Sequence, residues 1–96
     1  MKLSGKQVRF LRGLGHHLQP TVMIGKEEIT PQLINATNEA LGVHELIKVR
    51  LQEGCLLDRK EAATELADAT SSQIAQVLGK TFLLYRKAEE PSIKLP

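Results

Sequence analysis

The hydrophobic and polar positions of the chain recur first at helical spacing and then at strand spacing. Ser4 and Gln7 have the spacing of a capping box, which predicts a helix from about Gly5. Glycines 13 and 15 weaken this helix and Pro20 forbids its continuation, so it should end near residues 13 to 17. The chain thus begins with a short helix of about three turns.

This first helix separates apolar from basic residues almost completely. At about 100° per residue, Phe10, Leu11 and Leu14 share one narrow face, which we expect to be the core face. The opposite face gathers basic side chains, and we call it the basic helix face; it consists of Lys6, Arg9, Arg12 and His16.

The next segments predict a strand, a helix and a second strand. The apolar run 21–24 reads as a buried strand, and the loop that starts at Gly25 leads to a helix capped by Thr30 and ending at Gly42. Residues 44–51 alternate as in a half-buried strand. One of its faces is apolar and the other is basic: Ile47, Val49 and Leu51 against Lys48 and Arg50.

The last part of the chain predicts a helix followed by a β-hairpin. Asp58 caps a helix that runs to about Thr70. Residues 73–78 and 81–86 then form two strands joined by Gly79-Lys80, where glycine suits a two-residue turn. The segment from residue 87, with its two prolines, is expected to be a loose tail.

The order α-β-α-β-α-β-β predicts an α/β fold. We expect a compact two-layer sandwich over residues 1–86, with three helices against a four-stranded mixed sheet. If the helices lie mostly on one face of this sheet, Lys48 and Arg50 point to solvent on the other.

Composition fits one soluble domain and narrows its chemistry. The 96 residues are 42% hydrophobic and 25% charged, with a single cysteine, Cys55, which favours a reducing cytoplasm. The longest unbroken apolar run has four residues, so neither export nor membrane insertion is expected. Aromatic residues make up only 3%, which disfavours rows of base-stacking rings.

Charge is distributed unevenly behind a net value of +2. Residues 1–26 contain five basic and no acidic residues, a local charge of +5, whereas residues 53–68 carry a local charge of −3. A polyanion would therefore bind the N-terminal part. The basic helix face has the spacing needed for successive phosphates, although a merely solvated face is the alternative.

The sequence contains no recognisable motif for a catalytic site or a metal site. Cys55 has no neighbouring base and is expected to be an ordinary thiol, and the three histidines lack metal-ligand spacing. Gly79-Lys80-Thr81 imitates the end of a phosphate loop, but Ile74 stands where its first glycine belongs. We expect no enzyme activity, no cofactor, no metal and no small-molecule substrate.

Several blocks together resemble the small bacterial YhbY-type proteins, the single-domain form of the CRM (chloroplast RNA splicing and ribosome maturation) domain. They span nearly the whole chain: 11–13, 18–20, 24–26, 29–30, 44–49, 79–81 and 84–86. This resemblance implies an RNA-binding domain with a fold like the C-terminal domain of translation initiation factor three. It also implies a role in precursors of the large ribosomal subunit.

One position departs from the family pattern. The loop after the first strand is similar to the Gly-x-x-Gly backbone clamp of KH domains, but Glu28 replaces its second glycine. A carboxylate there repels phosphate, so the basic helix face and the strand pair Lys48 and Arg50 gain importance.

The prediction is therefore a monomeric, cytoplasmic RNA-binding protein that holds structured ribosomal RNA by backbone and shape. The alternative is a protein-interaction module that binds a ribosomal protein, with the basic face incidental. The candidate RNA-binding residues are Lys2, Lys6, Arg9, Arg12, His16, Gly25, Lys26, Lys48, Arg50, Lys80 and Arg86.

Overall fold

A computed structural model describes residues 2–96 and contains the seven elements in the expected order. Met1, the first residue of the predicted domain, lies outside the described residues. The helices are α1 (Gly5–Gly15), α2 (Pro31–His44) and α3 (Arg59–Thr70). The strands are β1 (Pro20–Ile24), β2 (Leu46–Leu51), β3 (Gln73–Leu78) and β4 (Thr81–Tyr85).

Each helix begins at the cap that the sequence predicts. The Gln7 amide donates to Ser4 Oγ over 3.2 Å, and the Ser4 amide donates back to Gln7 Oε1 over 3.0 Å, which completes the capping box. Thr30 accepts from the amide three residues later, and Asp58 accepts from the first amides of α3. These bonds satisfy donors that the helix itself cannot pair.

The four strands form one mixed sheet in the order β1-β2-β4-β3. β1 runs parallel to β2, whereas β4 is antiparallel to both of its neighbours. Gly79 takes a φ of 58° in the tight turn between β3 and β4, as a two-residue hairpin requires. The predicted α/β sandwich with its mixed four-stranded sheet is confirmed.

The larger of two cores lies between the sheet and the pair α2 and α3. It joins buried residues from both helices and from three strands, among them Val49, Leu66 and Phe82. Ile74 and Val77 extend it onto β3. Burial of this much aliphatic surface is the main stabilising term of the fold.

The helices lie mostly on one face of the sheet, as expected, and α1 is the exception. α1 packs on the opposite face, over a smaller core of Leu11, Leu46, Ala75, Leu83 and Tyr85. The reason is visible in β4, where four consecutive apolar residues put hydrophobic side chains on both faces of the sheet. α1 therefore adds a partial third layer to the sandwich.

The orientation of α1 also corrects the predicted core face. Leu11 is fully buried, but Phe10 and Leu14 are 39% and 41% exposed. Gly15 explains the rotation, because a Cβ at this position would overlap the Leu83 side chain. The line from Leu11 to Gly15 faces the sheet, and this close approach turns Phe10 and Leu14 away from it.

The boundary between α2 and β2 is shifted from its predicted position. Residues 44 and 45 were expected to open β2, but α2 continues to His44 and β2 begins at Leu46. Glu45 has a φ of 60° and its amide donates to the Leu41 carbonyl over 3.0 Å. This positive φ at Glu45 ends the helix and turns the chain directly into the strand.

The C-terminal segment 87–96 is docked rather than loose. Ile93 and Leu95 pack against the smaller core, and the Gln7 side chain donates to the Pro96 carbonyl over 3.2 Å. The sequence pattern does not indicate this docking, because the segment is polar and proline-rich. The tail and α1 together cover part of the second face of the sheet.

Candidate nucleic-acid interface

The basic helix face of α1 points away from the sheet with all four members exposed: Lys6, Arg9, Arg12 and His16. Leu11 and Gly15, on the other side of the helix, fix this orientation. The first turn of α1 contains no acidic residue, although an acid there would stabilise the helix dipole. Lys6 instead places a cation at that unfavourable end, and Lys2, which precedes the helix, is exposed as well.

Three connections meet at one end of the sheet: residues 25–30, residues 52–58 and the turn Gly79–Lys80. The Gln52 amide donates to the Ile24 carbonyl over 2.9 Å, and the Leu51 amide donates to the Lys80 carbonyl over 2.8 Å. Lys26 and Lys80 are both exposed here. The structure thus brings together two candidate lysines that are far apart in sequence.

The loop that begins at Gly25 keeps a glycine-like conformation at the altered position. Glu28 has a φ of 62°, and its amide donates to the Gly25 carbonyl over 3.0 Å. A positive φ at a glutamate is strained by about 1 kcal/mol or more. The loop lines a cleft of about 490 Å³ into which Glu27 and Glu28 bring negative charge. A phosphate gains less here than at the basic helix face.

The two basic residues of β2 lie on the same side of the sheet as α1. Arg50 is exposed on the part that α1 leaves open, between Met23 of β1 and Thr81 of β4. Lys48 is half-buried and lines an apolar groove of about 380 Å³ with Leu14 and Leu18. Arg50 is therefore available to a bound polyanion, and Lys48 only through its tip.

Arg86 makes structural hydrogen bonds, so we remove it from the candidate RNA-binding residues. Its guanidinium donates to Asn38 Oδ1 over 2.7 Å, to the Thr70 carbonyl over 2.8 Å and to the Asn38 carbonyl over 3.0 Å. The Thr70 carbonyl belongs to the last turn of α3, where helix carbonyls lack internal partners. Arg86 thus ties β4 to the two helices behind the sheet and is half-buried there.

Glu45 is a structural residue that the sequence reasoning missed. The residue is 2% exposed, and its carboxylate accepts hydrogen bonds from the tail. Oε1 accepts from the Ser92 amide at 2.6 Å, the Ser92 hydroxyl at 2.8 Å and the Ile93 amide at 3.0 Å. Oε2 accepts from the Ala88 amide at 3.2 Å. We call this set of bonds the tail latch.

The tail latch lowers the pKa of Glu45. Burial alone raises the pKa of this carboxyl, but the bonds from Ser92, Ala88 and Ile93 outweigh burial, so its pKa lies below the usual value. Burial and the nearby Glu45 charge also raise the pKa of Tyr85. No local sequence signal predicts this role, because Glu45 lies outside β2 and its partners are 43 to 48 residues away.

We also searched residues 2–96 for metal sites, reactive thiols and membrane-spanning helices. No three histidine, cysteine or acidic side chains among them are placed to hold a metal ion. Cys55 is a free thiol that packs, partly buried, against the larger core. None of the helices in this range combines the length and the hydropathy that crossing a membrane would take.

Comparison with known proteins gives a consistent result. The CRS1 / YhbY (CRM) domain model matches residues 3–86. A Bacillus subtilis protein named "Probable RNA-binding protein YqeI" is 40% identical over 95 residues, covering 98% of this chain and 99% of its own. A Haemophilus influenzae protein named "RNA-binding protein" is 37% identical over 94 residues, covering 98% and 95%.

A solved structure supports the same relationship. The solution structure of the Staphylococcus aureus protein SAV1595 is 40% identical and superposes with a TM-score of 0.84. The match covers 99% of this chain and all of that one. The similarity therefore extends over every element described above, including α1 and the docked tail.

Proposed function

Since the chain belongs to the CRS1 / YhbY (CRM) domain family, we propose that it is an RNA-binding protein whose principal contact surface is the basic helix face. The observation that carries this proposal is the uniform exposure of Lys6, Arg9, Arg12 and His16 on one helix with no acidic residue nearby in sequence. The names of its relatives support RNA as the ligand. Arg50 and Lys80 extend the surface across the open part of the sheet.

The mode of binding follows from the kinds of side chain that are exposed. Cations at helical spacing contact phosphates, and such contacts position a protein on RNA without reading bases. We therefore propose that folded RNA is recognised mainly by backbone and shape. On the basis of the family resemblance, we propose more specifically that the RNA is ribosomal and that the protein acts in assembly of the large ribosomal subunit. We further propose that the protein acts in the cytoplasm, as a monomer and without catalysis.

A salt titration tests the RNA-binding proposal. With about five phosphate contacts, the logarithm of the affinity for a folded RNA should fall with the logarithm of salt at a slope of about −3.5 to −4.5. A flat response would refute phosphate binding and would favour the alternative, a module that binds a ribosomal protein.

Sedimentation tests the ribosomal role separately. In a lysate gradient at low salt, the protein should travel with precursors of the large subunit, and crosslinking should then recover ribosomal RNA. If the protein stays at the top of the gradient but still binds purified RNA, the ribosomal role is wrong and RNA binding stands.

A further inference from the structure

Among the phenylalanine and tyrosine side chains of residues 2–96, Phe10 is the one that is not buried. Phe82 and Tyr85 are each 1% exposed, whereas Phe10 is 39% exposed and belongs to neither core. Burying a phenyl ring normally stabilises a fold. The close approach of Gly15 to Leu83 turns Phe10 away from the sheet, and part of its ring is therefore accessible to a ligand.

The surroundings of this ring are cationic and open. Phe10 lies at the edge of the basic helix face, one turn after Lys6 and directly after Arg9. One turn later comes Gly13, which is exposed and at which an added Cβ would meet nothing within 4 Å. No packing constraint requires this glycine, although alanine would favour the helix. It leaves the helix surface one turn after Phe10 without a side chain.

A flat apolar ring with open space beside it and cations around it suits a nucleobase. Bases stack on aromatic side chains in a sequence-tolerant way, while neighbouring cations hold the flanking phosphates. Bases inside a paired helix are not available for such stacking, but bases in bulges and loops are. A protein partner fits this surface less well than RNA. Residues 1–26 contain five basic and no acidic residues, and this charge favours a polyanion.

We propose that Phe10 and Gly13 form a stacking site for one unpaired nucleobase, within RNA whose backbone lies on the basic helix face. This inference rests on the proposed function and adds a preference for RNA with an unpaired base next to a stem. It gives the surface a way to select among folded RNAs that phosphate contacts alone do not provide.

Two RNA hairpins test the site, one fully paired in its stem and one with a single unpaired nucleotide in the same stem. The wild-type protein should bind the bulged hairpin about 5- to 140-fold more tightly, the range of one stacked base. Phe10→Ala should abolish this preference and retain the affinity for the paired hairpin. Because Phe10 lies outside both cores, the variant should fold normally by circular dichroism.

Gly13→Ala provides an independent variant whose fold is expected to be more stable. The added methyl projects from the open helix surface one turn after Phe10, where a base stacked on the ring would extend over Gly13. The preference for the bulged hairpin should therefore fall although the thermal midpoint rises. A wild-type protein without preference, or a Phe10→Ala variant that keeps it, overturns the stacking site while salt-dependent RNA binding stands. If the wild type binds neither hairpin at low salt, the proposed function fails as well.

Discussion

The two faces of the sheet differ in how they are packed and in the charge that they expose. The face covered by α2 and α3 rests on the larger core. The face covered by α1 and the tail rests on the smaller core and on the polar tail latch. The exposed charges of the two faces also differ. The helix α1 exposes basic side chains, whereas α3 exposes Glu61, Glu65 and Asp68 beside Lys60. The less strongly packed face is the one that carries the proposed ligand surface.

The largest expected effect compares the same deletion in the two cores. Leu66 and Leu11 are both fully buried, in the larger and the smaller core respectively. Leu66→Ala should cost about 4–5 kcal/mol and Leu11→Ala about 2–3 kcal/mol, because α1 and the tail can settle into the space more easily than strands fixed by two helices. Denaturant unfolding followed by circular dichroism measures both. Equal costs would contradict the comparison.

The tail latch is the next strongest element on the α1 side. Glu45→Gln keeps one acceptor oxygen but sets an amide group against the Ala88 amide. We expect a loss of about 1–3 kcal/mol in the free energy of unfolding, the usual range for bonds to a charged acceptor. Amide exchange at Ser92 and Ile93 should accelerate while exchange in the strands of the larger core stays slow. Unchanged exchange at both residues would refute the latch.

The same latch should respond to acid. The pKa of folded Glu45 is lower than its usual value of 4.5, so the latch contributes fully above that value and is lost as the pH falls through the folded pKa. The amide signals of Ser92 and Ile93 should therefore shift on acidification in the wild type. In Glu45→Gln this step should be absent, and its persistence would assign the transition to another group.

Two glycines of α1 provide a smaller and opposed pair of effects. Gly15→Ala puts a methyl into the buried Leu83 side chain and should cost about 1–2 kcal/mol after the gain in helix propensity. Gly13→Ala meets open space and should stabilise the protein by up to about 1 kcal/mol. Thermal unfolding compares the two. Stabilisation by both would show that α1 does not approach the sheet closely.

The smallest effect on stability is expected on the basic helix face. Arg9 and Arg12 are exposed, so Arg9→Gln with Arg12→Gln should change the free energy of unfolding by no more than about 0.5 kcal/mol. Denaturant unfolding checks this. A loss of several kcal/mol would mean that these side chains belong to the fold rather than to a ligand surface.

Local signals predicted the fold well, because each helix carries its own start and stop. The caps at Ser4, Thr30 and Asp58 and the turn at Gly79 all depend on residues within a few positions, and all appear in the structure. The packing of these elements against one another was harder to predict from the sequence. The face on which α1 packs depends on β4, which is distant in sequence and apolar on both sides.

The candidate site shows the same limit. Exposure of Lys6, Arg9, Arg12 and His16 followed from helical periodicity alone. The tasks of Arg86 and Glu45 did not, because their partners lie 16 to 48 residues away. Exposure of Phe10 was missed because it depends on how closely Gly15 approaches Leu83.

The central claim is that RNA binds the α1 side of the sheet, and two variants of equal net charge test it most directly. Arg9→Gln with Arg12→Gln removes two charges from α1, and Lys60→Glu lowers the net charge by the same amount on exposed α3. In a salt titration with folded RNA, the arginine pair should weaken binding and make the slope shallower by about 1.4 to 1.8. Lys60→Glu should leave that slope unchanged. Equal losses from both variants would contradict the account.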